Sequence, residues 1–189
     1  MAGTTLKEPT LTRLLCFSGS LRAASSSTAL LRALISRLDG AVQAEVADIA
    51  SLPHYNADSD GGAPVAALIA QLAAADGVLF VTPEYNYSVP GVLKKAIDWA
   101  SRPAYQSGFR GKRCFCMSVS GGAMGGVRAQ SHLKYILNGM LAEVFPWQEI
   151  VVSTAPKRMT GGVFTDTEVL DFAQAGVTAF LGSLRQRQA

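Results

Sequence analysis

Three stretches of this 189-residue chain hold residue types from which a ligand site can be built. The first, residues 18–28, sets hydroxyls at Ser20, Ser25, Ser26, Ser27 and Thr28 around one guanidinium, Arg22, just ahead of a helical pattern. Backbone N–H groups at a helix start, helped by the macrodipole, favour an anion. Several hydroxyls and a guanidinium can complete the shell around a phosphate. The same residues serve equally well as a helix cap and a polar loop. This is not a Walker loop, because Gly-Lys-Ser/Thr is absent, and the glycines of a dinucleotide fingerprint are absent too. The second stretch runs Thr82, Pro83, Glu84, Tyr85, Asn86, Tyr87, Ser88, Val89, Pro90, Gly91, placing an amide and two aromatic rings together. Those rings read either as a ligand wall or as surface packing. In the third, Ser120, Gly121, Gly122, Gly125 and Gly126 let backbone approach a flat ligand closely, though a glycine-rich turn alone is often only a turn.

The elements around these loops decide whether they meet. Residues 77–81 form a wholly apolar run, a strand buried on both faces. Residues 11–18 and 112–119 read as two further strands, Val42, Ala44 and Val46 alternate as a half-exposed one, and a fifth falls near residues 147–152. Between them lie helices. The first carries Leu30, Leu31, Leu34, Ile35 and Leu38 and ends at Asp39-Gly40. The second starts at Pro64, and the third opens at Pro90 with Ser88 as its N-cap. The fourth spans about residues 127–143, and a capping box over residues 165–168 opens the last, whose final five residues are expected to fray. Five strands alternating with five helices predict an α/β fold, a doubly wound parallel sheet with helices on both faces. In the flavodoxin-like strand order 2-1-3-4-5, strands one, three and four are neighbours. Their carboxyl ends, and so the three loops, then line one crevice.

Composition narrows the function classes. Nearly half the residues are apolar and a sixth are charged, which fits one folded domain over residues 1–189. The net charge of +3 is mild, and cations such as Arg13, Arg32, Lys95, Arg113 and Arg158 are spread along the chain. A nucleic-acid reader would concentrate them in a stripe. Cys16, Cys114 and Cys116 with His54 and His132 have no metal-ligand spacing, so no metal is expected. The first twelve residues lack the charged start and apolar run of a signal peptide, and no stretch reaches membrane-spanning length. A cytoplasmic protein is the expectation.

The motifs themselves resemble the NADPH-dependent FMN reductase family, flavodoxin-like flavoproteins that include bacterial quinone and chromate reductases. The carriers are Gly19-Ser20-Leu21-Arg22 with Ser25 and Ser27, the stretch from Pro83 to Gly91 quoted above, Leu93-Lys94, Ala96-Ile97-Asp98-Trp99, and Gly125-Gly126 before Arg128. Leu52-Pro53 with Tyr55-Asn56 is similar to the family's loop after strand two. The chain departs from it at Ser27 and at Lys95, where asparagine is common.

The resemblance implies that FMN is the cofactor and NADPH or NADH the co-substrate. Ser20, Leu21, Arg22, Ser25, Ser26 and Ser27 would hold the phosphate. Pro83, Glu84, Tyr85, Asn86 and Tyr87 would line the isoalloxazine and ribityl, and Ser120, Gly121 and Gly122 the ring's far edge. No catalytic side chain is required, because the flavin accepts a hydride at N5 and passes electrons on. The acceptors would be quinones, azo compounds, metal oxyanions such as chromate, or flavins, in a ping-pong cycle. The alternative is a flavodoxin-type electron carrier or an FMN-binding redox sensor without nicotinamide turnover. A homodimer or homotetramer is implied as well.

Overall fold

All six residues of Gly77–Thr82 are buried, and this strand sits in the middle of the sheet. The computed structural model describes residues 11–38, 40 and 42–188. Asp39 of the expected helix stop, and the segment before residue 11, therefore lie outside the described residues. In chain order the elements are β1 (Thr12–Ser18), α1 (Ser26–Ser36), β2 (Val42–Val46), α2 (Gly62–Ala74), β3 (Gly77–Thr82), α3 (Gly91–Ala100), β4 (Arg113–Val119) and α4 (Val127–Gly139). They are followed by β5 (Glu143–Val144), β6 (Ile150–Val152), a 3₁₀ turn (Ala155–Arg158), β7 (Met159–Thr160), β8 (Val163–Phe164) and α5 (Thr167–Gln188). The sheet order is β2-β1-β3-β4-β5, with every pairing parallel and β6 also against β4. This is the doubly wound, flavodoxin-like α/β order read from the sequence.

Alternation along the buried strands divides the core in two. Leu15, Phe17, Val78, Phe80, Cys114 and Cys116 face Leu68, Leu72, Leu93, Ile97, Leu133 and Leu137 of α2, α3 and α4. The intervening Leu14, Cys16, Leu79, Val81, Phe115 and Met117 face α1 and α5 through Leu30, Leu34, Phe180 and Leu184. Helices thus cover both faces.

The fifth strand is not one piece. β5 pairs with Arg113 and Cys114, β6 with Met117 to Val119, and Pro146, which has no N–H for a ladder, falls in the break. The Cys116 carbonyl at that break accepts Gln130 Nε2 at 2.9 Å instead. The expected helix boundaries also move. α2 starts at Gly62, so Pro64 lies in its first turn, where a missing N–H is harmless. α3 starts one residue after Pro90, whose carbonyl takes the N–H groups of Leu93 and Lys94. Ser88 is not its cap, since its Oγ is 3.0 Å from His132 Nδ1. α4 stops at Gly139, four residues early, in a turn where Leu141 has φ 62°. α5 is capped by Asp166, which accepts Val169 N–H at 3.1 Å, and not by Thr165. Its end stays helical through Gln188, tied down where Arg187 meets Glu143 at 2.6 Å. The β7–β8 hairpin had no signal in the apolar pattern, its strands being two residues each. Among the described residues no helix is long and apolar enough to cross a membrane.

Candidate functional site

The crevice begins where β1 ends. Gly19 N–H donates to the Val81 carbonyl at 2.9 Å. A Cβ on Gly19 would lie 2.5 Å from Thr82 Oγ1 and 2.9 Å from Pro83 Cδ, so only glycine lets the loops after β1 and β3 come this close. Ser20 Oγ then stands 3.3 Å from Tyr85 Oη, a direct link between the two loops. Ser18 Oγ, 2.7 Å from Thr28 Oγ1, fixes the end of β1 to the first turn of α1.

That first turn is only partly satisfied from within. Ser25 is the N-cap and accepts Thr28 N–H at 3.2 Å. Among the described residues nothing accepts the N–H groups of Ser26 and Ser27. Ser27 is 1 % exposed, and its hydroxyl makes no hydrogen bond there. Leu21 and Arg22 are exposed beside it, and the Arg22 guanidinium holds no ion pair among the described residues. Two free N–H groups, an unpartnered hydroxyl and a free cation at a helix N-terminus fit a phosphate.

In the second loop, Tyr85 and Ser88 exchange both backbone hydrogen bonds at 3.1 Å around Asn86 (φ 49°) and Tyr87 (φ 67°). Two consecutive left-handed residues make the tight turn favoured in hairpins, here without the glycine that relieves it. The turn holds Tyr85, Asn86 and Tyr87 out from the sheet, all exposed, and the Arg128 guanidinium lies 4.3 Å over the Tyr87 ring.

Glu84 turns away toward α4. Oε1 is 2.9 Å from Arg128 Nη1, and Oε2 accepts the backbone N–H groups of Arg128 and Ala129 at 3.1 and 3.3 Å. Burial acts to raise its pKa. The bonds from Arg128 and Ala129, with the Arg128 charge, outweigh that and hold the carboxyl below the ordinary glutamate value. Glu84 therefore closes the start of α4, a role the sequence expectation did not assign.

The third loop leaves β4 beside β3, with Ser118 in register with Thr82. Ser120 Oγ accepts Gly122 N–H at 3.1 Å, leaving Gly121 and Gly122 exposed, while Ser120 N–H is bound by the Val152 carbonyl at 2.9 Å. Gly125 and Gly126 are buried with φ of 59° and 88° and bring α4 up against β6, Ser118 and Glu84. Of the expected site residues, Ser20 and Tyr85 are thus joined directly, and Ser25, Ser26 and Ser27 lie together at the start of α1. The Glu84 carboxylate and the Tyr87 ring are engaged with Arg128. Sequence reasoning gave no role to Arg128 or Gln130. A signal existed: α4 carries no acidic residue in its first turn and no side-chain cap of its own, which leaves its orphan N–H groups to an acid from elsewhere. The three thiols are buried, and burial pushes Cys16 and Cys116 up to about 12 and Cys114 well above its usual range. Among the described residues no group of three His, Cys, Asp or Glu is placed to hold a metal.

Comparison with known proteins bears on the same residues. The sequence profile of the NADPH-dependent FMN reductases matches residues 12–157. An NAD(P)H-dependent FMN reductase of Pseudomonas aeruginosa is 43 % identical over 148 residues, covering 76 % of this chain and 78 % of its own. A quinone reductase of Escherichia coli is 40 % identical over 177 residues, 89 % of this chain and 93 % of that one. Among solved structures, the flavoenzyme NAD(P)H:(acceptor) oxidoreductase FerB of Paracoccus denitrificans superposes with a TM-score of 0.84 at 32 % identity, over 93 % of this chain and 98 % of the other. The match runs through all three loops and the strands that carry them, and the chain belongs to the NADPH-dependent FMN reductase family.

Proposed function

We propose that this protein is an NAD(P)H-dependent oxidoreductase that holds one FMN in the crevice and passes electrons to quinones. Azo compounds, metal oxyanions such as chromate, and free flavins are further acceptors in a ping-pong cycle. The observation that carries the reading is the N-terminus of α1. The Ser26 and Ser27 N–H groups and the Ser27 hydroxyl have no protein partner among the described residues, at the helix start beside the loops after β1 and β3. Bound FMN would supply the redox chemistry, a two-electron relay between nicotinamide and acceptor.

The chain's own residues bind and orient. Ser20, Leu21, Arg22, Ser25, Ser26 and Ser27 would hold the phosphate. Pro83, Tyr85, Asn86 and Tyr87 would line the ribityl and ring, and Ser120, Gly121 and Gly122 the ring's far edge. Glu84 acts through α4, because its carboxylate already accepts from Arg128 and Ala129 and has no proton to give. The same proposal makes residues 1–189 one domain of a cytoplasmic homodimer or homotetramer. Tyr135, 81 % exposed on α4, and Tyr87, 68 % exposed before α3, support contact through the helices after β3 and β4.

Anaerobic stopped-flow reduction of the bound flavin by NADPH and by NADH, followed by an acceptor panel, is the test. The expected result is a yellow protein bleached by at least one nicotinamide and reoxidised by a quinone. A colourless protein that refuses added FMN removes the reading. A flavin that neither nicotinamide reduces marks an electron carrier or redox sensor instead.

A further inference from the structure

A cavity of about 520 Å³ lies between the loop after β2, the start of α2 and the end of α3, and shares no residue with the three loops of the crevice. Its floor is aromatic. The buried Trp99 meets the Tyr55 ring edge-on, with 4.9 Å between centroids. Its indole N–H already donates to the Pro53 carbonyl at 2.9 Å, so the ring offers the space carbon alone. Val65 and Ile69, one turn apart on α2, make an apolar side wall. The Arg102 guanidinium lies over the Tyr55 ring, 5.3 Å from its centroid, exposed and without an ion pair among the described residues. We propose that this cavity is a second ligand site, for a flat aromatic molecule that carries one carboxylate or comparable anion.

Each half of that ligand answers to a wall. An aromatic floor with an aliphatic side takes a planar ring, and the volume falls within the range of small-molecule pockets, about 300–1,000 Å³. A guanidinium stacked on an aromatic face keeps its fork of donors free for a carboxylate. Asn56 adds a donor: its Oδ1 accepts Asp58 N–H at 3.0 Å, which leaves the NH₂ group for an anion. α2 begins between Asp60 and Val65 of the wall, so the positive end of its dipole lies at the cavity. Gly61 keeps that entry bare. A Cβ there would collide with Val65 Cγ2 and lie 3.1 Å from Trp99 Cη2. Asp60 is the single acid on the wall. Its Oδ1 accepts Gly62 N–H at 2.9 Å, and it forms no ion pair with Arg102.

The test is calorimetric titration with 2-naphthoate and with the uncharged naphthyl alcohol, with and without added FMN, in the wild type and in Arg102→Gln and Ile69→Glu. The naphthoate is expected to bind with the same affinity whether or not FMN is present, because the crevice lies elsewhere. Arg102→Gln should weaken it about tenfold, the loss of one charge-assisted contact, and leave the alcohol unchanged. Ile69→Glu sets a carboxylate on the apolar wall and should weaken the naphthoate by at least as much. Both side chains are exposed, so unmoved unfolding midpoints certify the fold. No binding of naphthoate to the wild type, binding that added FMN abolishes, or an affinity untouched by either substitution overturns the site.

Discussion

Glu84 Oε1 lies 2.9 Å from Arg128 Nη1, and the other oxygen of the same carboxylate takes two backbone N–H groups at the start of α4. One side chain of the loop after β3 thus serves as counter-ion and N-cap for a helix 44 residues further on. Glu84→Ala leaves those N–H groups unpaired and frees Arg128 from the loop. The expected loss is about 1–2 kcal/mol, the range of an N-cap truncation, read as a lower urea midpoint with unchanged slope. No loss of stability would mean that the contact does not hold the loop.

The two pairs of glycines after β4 separate packing from ligand access. A Cβ at Gly125 would sit 2.5 Å from Val151 Cγ1 and 3.1 Å from Ser153 N, at φ 59°. Gly125→Ala therefore combines left-handed strain with a steric clash, together about 2–4 kcal/mol. At Gly121 the nearest atoms are 3.7 Å away, on Pro156. Gly121→Ala should change stability by less than about 0.5 kcal/mol, so any effect it has on flavin affinity reports the crevice alone. Thermal unfolding of both variants checks the contrast.

Arg22 is exposed and bears no structural duty, which makes it a clean probe of the cradle. Arg22→Ala should weaken FMN binding by about 1.5–3 kcal/mol, roughly ten- to a hundredfold, the value of a charge-assisted contact, with the unfolding midpoint unmoved. Fluorescence titration of the flavin-free protein measures it, and an unchanged dissociation constant would strike Arg22 from the site.

The sheet order was legible because β3 is apolar as far as Val81, while β2 alternates, marking an interior strand and an edge. The convergence of the three loops was legible because β1, β3 and β4 are neighbours in that strand order, and Ser20 with Tyr85 joins the first two. What the sequence hid is tertiary in origin. Pro146 interrupts the last strand, yet nothing nearby in the chain says that Gln130 will bond the Cys116 carbonyl left without a ladder partner. Thr165 fits a capping box, but Asp166 wins because its carboxylate also meets Arg158 at 2.5 Å. Glu84 was expected at the crevice with Pro83 and Tyr85, and nothing in the local residues says that its carboxylate will be held by Arg128 and Ala129. Its true partner follows Gly125 and Gly126, whose close packing on Ser118 and Glu84 brings α4 within reach.

The thiols give a prediction of inertness. Burial pushes Cys16 and Cys116 up to about 12 and Cys114 well above its usual range, so none forms appreciable thiolate at about pH 8. A disulfide reagent such as Ellman's should find no fast thiol in the native protein and three after denaturation. A thiol that reacts within seconds in the native state would show that a strand opens on that timescale.

Glu84 also sets a pH dependence with a definite sign. Burial tends to raise its pKa, but the bonds from Arg128 and Ala129 prevail, so the folded value lies below the ordinary 4.5. A depressed carboxyl pKa stabilises the fold fully above its unfolded value and loses that contribution as pH falls through the folded one. Asp48, Glu143 and Asp166 are depressed as well, so acid sensitivity of the wild type alone cannot be assigned to one group. The difference between wild type and Glu84→Gln isolates it, because the other three carboxylates cancel. That difference should stand near 1 kcal/mol at about pH 7, the range of a charge–dipole and ion-pair contact, and shrink steadily once the pH drops below 4.5. Urea unfolding of both proteins across that range measures it, and a difference that does not change with pH would show that the carboxylate's charge contributes nothing to holding α4.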